Sequence, residues 1–219
     1  MPNFISLIER KVNAKGLNKS PPNEDKLREY FFDDDYQNLK FLKEIPKIKL
    51  TKKVPALFYP GCGADILFPL KYIEVIFPEI EEINFIFNDK ENSLGLIKTI
   101  LDDIGIGFSE NDSNMDNVGN VNNVNNVSFY WKHLLVNLKF TTGNIFNLLS
   151  TLPAFDIYFE RAFRIMKDDY PSYEQEVYNK LNTEGILISD SGFQEQKLKL
   201  IKVPKILSSY GEMIVGVKE

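Results

Sequence analysis

Leu57-Phe58-Tyr59-Pro60-Gly61-Cys62-Gly63-Ala64-Asp65 is an apolar run of strand type that passes into a glycine turn and ends on a carboxylate. Apolar residues at helical spacing follow at once. Gly61 and Gly63 carry no side chain and tolerate positive φ, so the backbone there can curl and come close to a ligand, in the manner of turns that hold nucleotides. Pro69 must fall in the first turn of the helix that follows, because deeper inside it would break a hydrogen bond.

Outward from this turn, strand and helix patterns alternate. Val54–Tyr59 is followed by a helix ending near Phe77, Ile83–Phe87 reads as a second strand, and 92–104 as a second helix. Further strands are expected at Leu138–Thr142, Phe155–Phe159 and Ile186–Ser189, with helices at Ile145–Leu152 and Tyr173–Leu181 between them and Gly185 as the stop of the last helix. Such alternation implies parallel strands joined by right-handed crossovers. Leu198–Val203 and Met213–Lys218 lie too close together for a helical crossover, so the chain should end in an antiparallel hairpin.

Upstream, Leu27, Tyr30, Phe31, Leu39 and Leu42 suit one or two amphipathic helices that start after Pro21-Pro22-Asn23, with Asp33, Asp34 and Asp35 as an acidic helix break. Residues 1–50 therefore read as a helical extension and 51–219 as the α/β domain. Residues 109–127 are polar and asparagine-rich, an insertion that cannot fill a core, and Phe129–His133 is expected to add a short strand beside Leu138–Thr142.

With 219 residues and 43% hydrophobic content the chain can bury one substantial core, roughly 70% of its unfolded surface. A net charge of −5 disfavours bulk electrostatic binding of nucleic acid. Cys62 is the only cysteine, so disulfides and thiolate metal sites are not expected, which fits a reducing, cytoplasmic compartment. The apolar cluster Phe4–Ile8 meets Glu9, Arg10 and Lys11 too early for a signal peptide, and nothing has the length of a membrane span, so a soluble protein is expected. His133, the only histidine, reads as a packed or surface residue, and no Gly-x-Ser-x-Gly elbow accompanies it.

Three features meet in a doubly wound sheet: the glycine turn, Asp89 closing Phe85-Ile86-Phe87-Asn88-Asp89, and Gly143-Asn144 after the third strand. The carboxyl ends of those strands lie side by side, where ligands bind. In this arrangement the sequence resembles the class I S-adenosylmethionine-dependent methyltransferases, from about Val54 to Glu219. The resemblance implies a mostly parallel, seven-stranded Rossmann-like sheet ending in an antiparallel hairpin, with S-adenosylmethionine as cofactor. It also implies that Gly61 and Gly63, with Cys62 between them, pack against the cofactor's amino acid and ribose, that Asp89 holds the ribose hydroxyls, and that Gly143 and Asn144 face adenine. Asp65 either caps the following helix or meets the cofactor's ammonium.

Gly63 and Asp89 stand 26 residues apart, more than the roughly 20 of a dinucleotide fingerprint, and Asn144 stands where an aspartate is common. Ile66 occupies the third-glycine position of a dehydrogenase fingerprint and argues against that class. Glu160 and Arg161 follow the fourth strand, and Glu160 is the candidate base should the acceptor need one. The acceptor is a small molecule or an exposed group of a macromolecule. A methyltransferase fold that binds partners without turnover is the competing expectation. The first fifty residues are expected to pack across the carboxyl edge of the sheet, as acceptor pocket or lid.

Overall fold

The computed structural model describes residues 7–111, 125–194, 197–208 and 210–219. Two short helices come first, α1 (Glu24–Arg28) and α2 (Asp33–Asn38), followed by a 3-10 stretch, Leu39–Glu44. Then come β1 (Ala56–Pro60), α3 (Leu67–Ile76), β2 (Glu82–Asp89), α4 (Leu94–Asp103), β3 (Phe108–Asn111), β4 (Asn125–Trp131) and β5 (Leu134–Thr142). The chain closes with α5 (Ile145–Leu148), β6 (Phe155–Glu160), α6 (Arg164–Asp168), α7 (Tyr173–Lys180), β7 (Leu181–Ser189), β8 (Leu198–Ile201) and β9 (Ile214–Lys218).

Among the described residues nine strands form one sheet in the order β3-β4-β5-β2-β1-β6-β7-β9-β8. Its centre, β5-β2-β1-β6-β7, is parallel, and the pairs at both edges are antiparallel. Each of the eight segments expected as strands has a counterpart, and the sheet has nine strands where seven were expected. The added pair, β3 and β4, forms a hairpin on the β5 edge, so the strand expected at 129–133 begins earlier and spans Asn125–Trp131, and β3 was not expected. The centre of the asparagine-rich insertion, 112–124, lies outside the described residues, as does 4–6 of the first apolar cluster. Its outer residues, 109–111 and 125–127, belong to the hairpin strands.

Central strands buried on both faces read as continuous apolar runs, and each face has its own cluster. Leu57, Tyr59, Phe85, Phe87, Ile157 and Phe159 pack on the side of α3 and α4. Phe58, Tyr158 and Leu187 pack on the other side with Tyr173 and Val177 of α7. Leu27, Phe31, Leu42 and Ile45 of the extension are buried in the first cluster and share the core of the sheet. The extension follows α4 and the β3 edge, with Arg10 N donating to Thr99 Oγ1 (3.0 Å), Gly16 N to Phe108 O (2.9 Å) and Asn23 N to Ile104 O (2.8 Å), and returns where Ile48 N meets Ile76 O (2.8 Å).

Local chemistry explains the helix starts. The Asn23 side chain accepts from Lys26 N, and Glu24 and Asp25 sit in the first turn, where the helix dipole favours acids. Asp33, Asp34 and Asp35 were expected to break a helix, but they form the first turn of α2, and the break falls on 29–32 instead. Pro69 lies in the first turn of α3, where its missing N–H is no loss. Gly185 is not the helix stop. Helix α7 ends at Lys180 because Leu181 already pairs with Phe155, and the register jump to the Ile157–Ile186 pair is absorbed by Glu184, which takes a φ of 60°.

Candidate functional site

Strand order reverses between β1 and β6, the chain building outward from β1 to β2 and β5 before crossing back to β6 and β7. The loops after β1 and β6 therefore leave toward opposite faces and open a crevice between them. A cavity of about 430 Å³ occupies this place, bounded by Gly63, Asp65, Asp89 and Arg161 and covered from the extension by Phe31 and Asp35.

The turn is pinned at several points. Cys62 N donates to Asn88 O (3.2 Å), and Asp65 N to Cys62 O (2.9 Å). Gly63 N donates to Asp89 Oδ2 (2.8 Å), and Glu91 N to Asp89 Oδ1 (3.2 Å), so the acid at the end of β2 holds the glycine turn as well as facing the cavity. Asp65 accepts from Phe68 N (3.1 Å), as a capping side chain does, and its other oxygen accepts from the Tyr59 hydroxyl (2.8 Å). Burial pushes the Asp65 carboxyl up against the pull of Arg161.

The two glycines differ. Gly61 has a φ of 58°, and a Cβ there would meet the Phe163 ring at 2.6 Å, so the close approach it permits is to the protein's own side chain. Gly63 has a φ of 51° and nothing within 4 Å of the corresponding position. The space left open for a ligand is therefore at Gly63. Cys62 is buried in the turn, and burial, with Asp89 and Asp65 nearby, pushes its thiol well above the ordinary value. A neutral thiol of this kind is inert as a nucleophile.

Gly143 and Asn144 stand beside this arrangement, outside the cavity wall. Gly143 N donates to Asp89 O (2.8 Å), and the Asn144 side chain caps α5 by accepting from Phe146 N (3.1 Å). Glu160 has a different task from the one expected of it. Its side chain is fully buried and bound to Lys167 Nζ (2.6 Å), the Tyr158 hydroxyl (2.5 Å) and the hydroxyls of Ser189 and Ser191 (2.5 and 2.7 Å). A carboxylate so committed does not line the crevice.

The sequence reading sets Arg161 beside Glu160 after the fourth strand without assigning it a role, and does not single out Phe163, Asp190 or a link of Asp35 to the site. Arg161 turns away from Glu160 into the crevice, its guanidinium 3.2 Å from the centroid of the Phe68 ring. Three carboxylates surround it: Asp35 at 3.6 Å, Asp65 at 4.0 Å and Asp190 at 3.9 Å. Asp190 Oδ1 and Oδ2 accept from Ala162 N (3.0 and 3.2 Å). Burial raises the Asp190 carboxyl to about 6. The available signal was a charge placed directly after an apolar strand, as in Phe159-Glu160-Arg161 and Ile188-Ser189-Asp190.

No protein-family model and no curated protein matches the sequence. Solved structures similar to it include TrmN from Thermus thermophilus (12% identity, TM-score 0.41, 84% of this chain and 47% of that chain). Another is the precorrin-6y C5,15-methyltransferase of Geobacter metallireducens (12% identity, TM-score 0.38, 71% and 59%). A third is a candidate class I S-adenosylmethionine-dependent methyltransferase of Listeria monocytogenes (10% identity, TM-score 0.43, 90% and 60%). Methyltransferases are thus among its structural neighbours. The chain spans less than two thirds of the length of each, and likeness at this level carries no argument about function. Among the described residues no helix is long and apolar enough to cross a membrane.

Proposed function

We propose that the protein binds S-adenosylmethionine in the crevice between the loops after β1 and β6 and transfers its methyl group to an acceptor. The observation that carries this is the open position at Gly63, set at the point where strand order reverses and facing a cavity of about 430 Å³. That volume lies within the range of about 300–1,000 Å³ usual for small-molecule sites.

The donor set suits a nucleoside bearing an amino acid. Asp89 keeps unused lone pairs on both carboxylate oxygens for ribose hydroxyls, and Asp65 and Arg161 offer opposite charges. Gly63, Asp65, Asp89 and Arg161 would hold the cofactor, with the α4 side and the extension closing over it. When bound, the cofactor supplies a methyl group on a sulfonium that already carries its leaving group. The protein's own share is then positioning and exclusion of water, which needs no conspicuous nucleophile at the site.

Glu160 is left out of this proposal because its carboxylate is spent on Lys167, Tyr158 and two serines. The acceptor is a small molecule or an exposed group of a macromolecule. The single buried cysteine suits a reducing compartment such as the cytoplasm.

Thermal unfolding with S-adenosylmethionine or its demethylated product, S-adenosylhomocysteine, tests the proposal. A ligand at 100 times its dissociation constant adds about 2.7 kcal/mol, which appears as a clear rise in melting temperature. No rise with either compound at millimolar concentration would overturn it. A rise without turnover on any acceptor would point to a binding protein on the same fold.

A further inference from the structure

Among the described residues Arg161 has charge partners but no hydrogen-bonded ones. Its side chain is only 16% exposed, and its three carboxylate neighbours stand at 3.6, 4.0 and 3.9 Å, beyond hydrogen-bonding distance. Its buried Nε has no acceptor among the described residues. The surrounding acids neutralise the guanidinium, yet its directional donors go unused in a place where an unmade hydrogen bond is costly. A planar, two-oxygen anion is what an arginine fork matches.

The three acids are not equally held. Asp65 is fixed by Phe68 N and the Tyr59 hydroxyl, and Asp190 by Ala162 N. Asp35, on α2 of the extension and 28% exposed, is held by its side chain only through the ion pair with Arg161 among the described residues. It is the one acid free to leave. Exchanging it for a ligand carboxylate replaces one negative charge by another, so the electrostatic balance around Arg161 is kept while hydrogen bonds are gained.

We propose that Arg161 binds the carboxylate of the ligand's amino-acid end, and that Asp35 holds this position in the ligand-free protein. The inference rests on the cofactor proposed above and deepens it. Asp65, on the other side of the guanidinium, takes the ammonium of the same end. Entry of the ligand then releases α2 from Arg161, which couples occupancy of the crevice to the position of the extension that covers it.

Calorimetric titration with two ligands tests this: S-adenosylhomocysteine, and 5′-methylthioadenosine, which keeps the nucleoside thioether and lacks the amino-acid end. Arg161→Gln and Arg161→Lys should weaken the first about 10- to 100-fold, as expected for a lost charge-assisted pair, and leave the second within about twofold. Asp35→Asn, a change at a partly exposed residue that the fold tolerates, should tighten the first about threefold by removing its competitor and leave the second unchanged. Equal losses for both ligands in the Arg161 variants, no loss for either, or weaker binding of S-adenosylhomocysteine by Asp35→Asn would overturn the inference while leaving the cofactor proposal standing. Wild-type protein that binds neither ligand would overturn both.

Discussion

The ring of Phe163 covers Gly61, with two of its carbons 2.6 Å from the place where a Cβ would stand. Phe163 is itself buried against Tyr173 at a centroid distance of 5.5 Å, so it has little room to withdraw. Gly61→Ala adds this overlap to a left-handed backbone at φ 58°. The expected loss is about 2–4 kcal/mol in urea denaturation. Gly63→Ala meets only the backbone penalty, about 1–2 kcal/mol, but places a methyl in the open space of the crevice. It should keep the fold and lose most of the melting shift with S-adenosylhomocysteine.

Asp89 joins the turn to β2 through Gly63 N (2.8 Å) and Glu91 N (3.2 Å). Asp89→Asn keeps one acceptor oxygen and loses the charge that strengthens both bonds. Stability should fall by about 1 kcal/mol. Affinity for S-adenosylhomocysteine and for 5′-methylthioadenosine should fall together, by about tenfold or more, because both carry the ribose. Calorimetry that finds affinity intact would remove Asp89 from the binding site.

Asp190 gives the protein a pH signature. Its carboxyl is raised from an ordinary 3.8 to about 6, burial being the main cause and the Arg161 charge opposing it. A folded-state value above the unfolded one means that the folded protein binds the proton more tightly. The contribution is therefore fully present below pH 3.8 and is lost as pH rises through 6. The gap between the two values corresponds to about 3 kcal/mol at most. Asp190→Asn cannot titrate, so the difference in melting temperature between variant and wild type should change across pH 4 to 6.5 and be flat above it. A constant difference across that interval would show that Asp190 ionises normally.

The extension offers a stability test. Leu27, Leu42 and Ile45 are at most 2% exposed and Phe31 is 6% exposed, all within the cluster that packs on β1 and β2. At about 1.5–3 kcal/mol for each buried side chain, they account for roughly 6–12 kcal/mol, comparable with the whole stability of a domain. Deleting residues 1 to 45 should therefore abolish cooperative unfolding, as followed by circular dichroism, rather than impair acceptor recognition alone. A deletion that still melts sharply would show that the domain folds without this cover.

The strand-turn-helix start was legible because each local signal agrees with the tertiary outcome: an unbroken apolar strand, two glycines that both adopt positive φ, and Pro69 in a first turn. Alternation of strand and helix patterns implied the parallel centre of the sheet, whereas its Rossmann-like order was implied by the family resemblance. What could not be read was which glycine is closed by Phe163, since that contact spans a hundred residues of chain. Glu160 and Arg161 are adjacent in sequence but point to opposite sides of the sheet edge, one into a buried ion pair and one into the crevice. Gly185 misled because an αL position is normally glycine, whereas Glu184 takes it here, at a cost set by the β6–β7 pairing.

Lys167 is held between two acids, 2.6 Å from Glu160 Oε1 and 2.9 Å from Glu174 Oε1, and also donates to Gly192 O (2.7 Å). Burial works against its charge, yet the two carboxylates keep its pKa above the ordinary value. Lys167→Met removes the only cation paired with these two acids among the described residues and leaves two buried carboxylates without it, an expected loss of about 3–5 kcal/mol at pH 7. Urea denaturation of the variant and the wild type at the same pH measures this loss. Glu160→Gln is milder, because an amide oxygen can still accept from Lys167 and the serines, and should cost about 1–2 kcal/mol. Since Glu160 lies outside the crevice, this variant should bind S-adenosylhomocysteine within about twofold of wild type, less than 0.5 kcal/mol. A loss of binding without a loss of stability would return Glu160 to the ligand site.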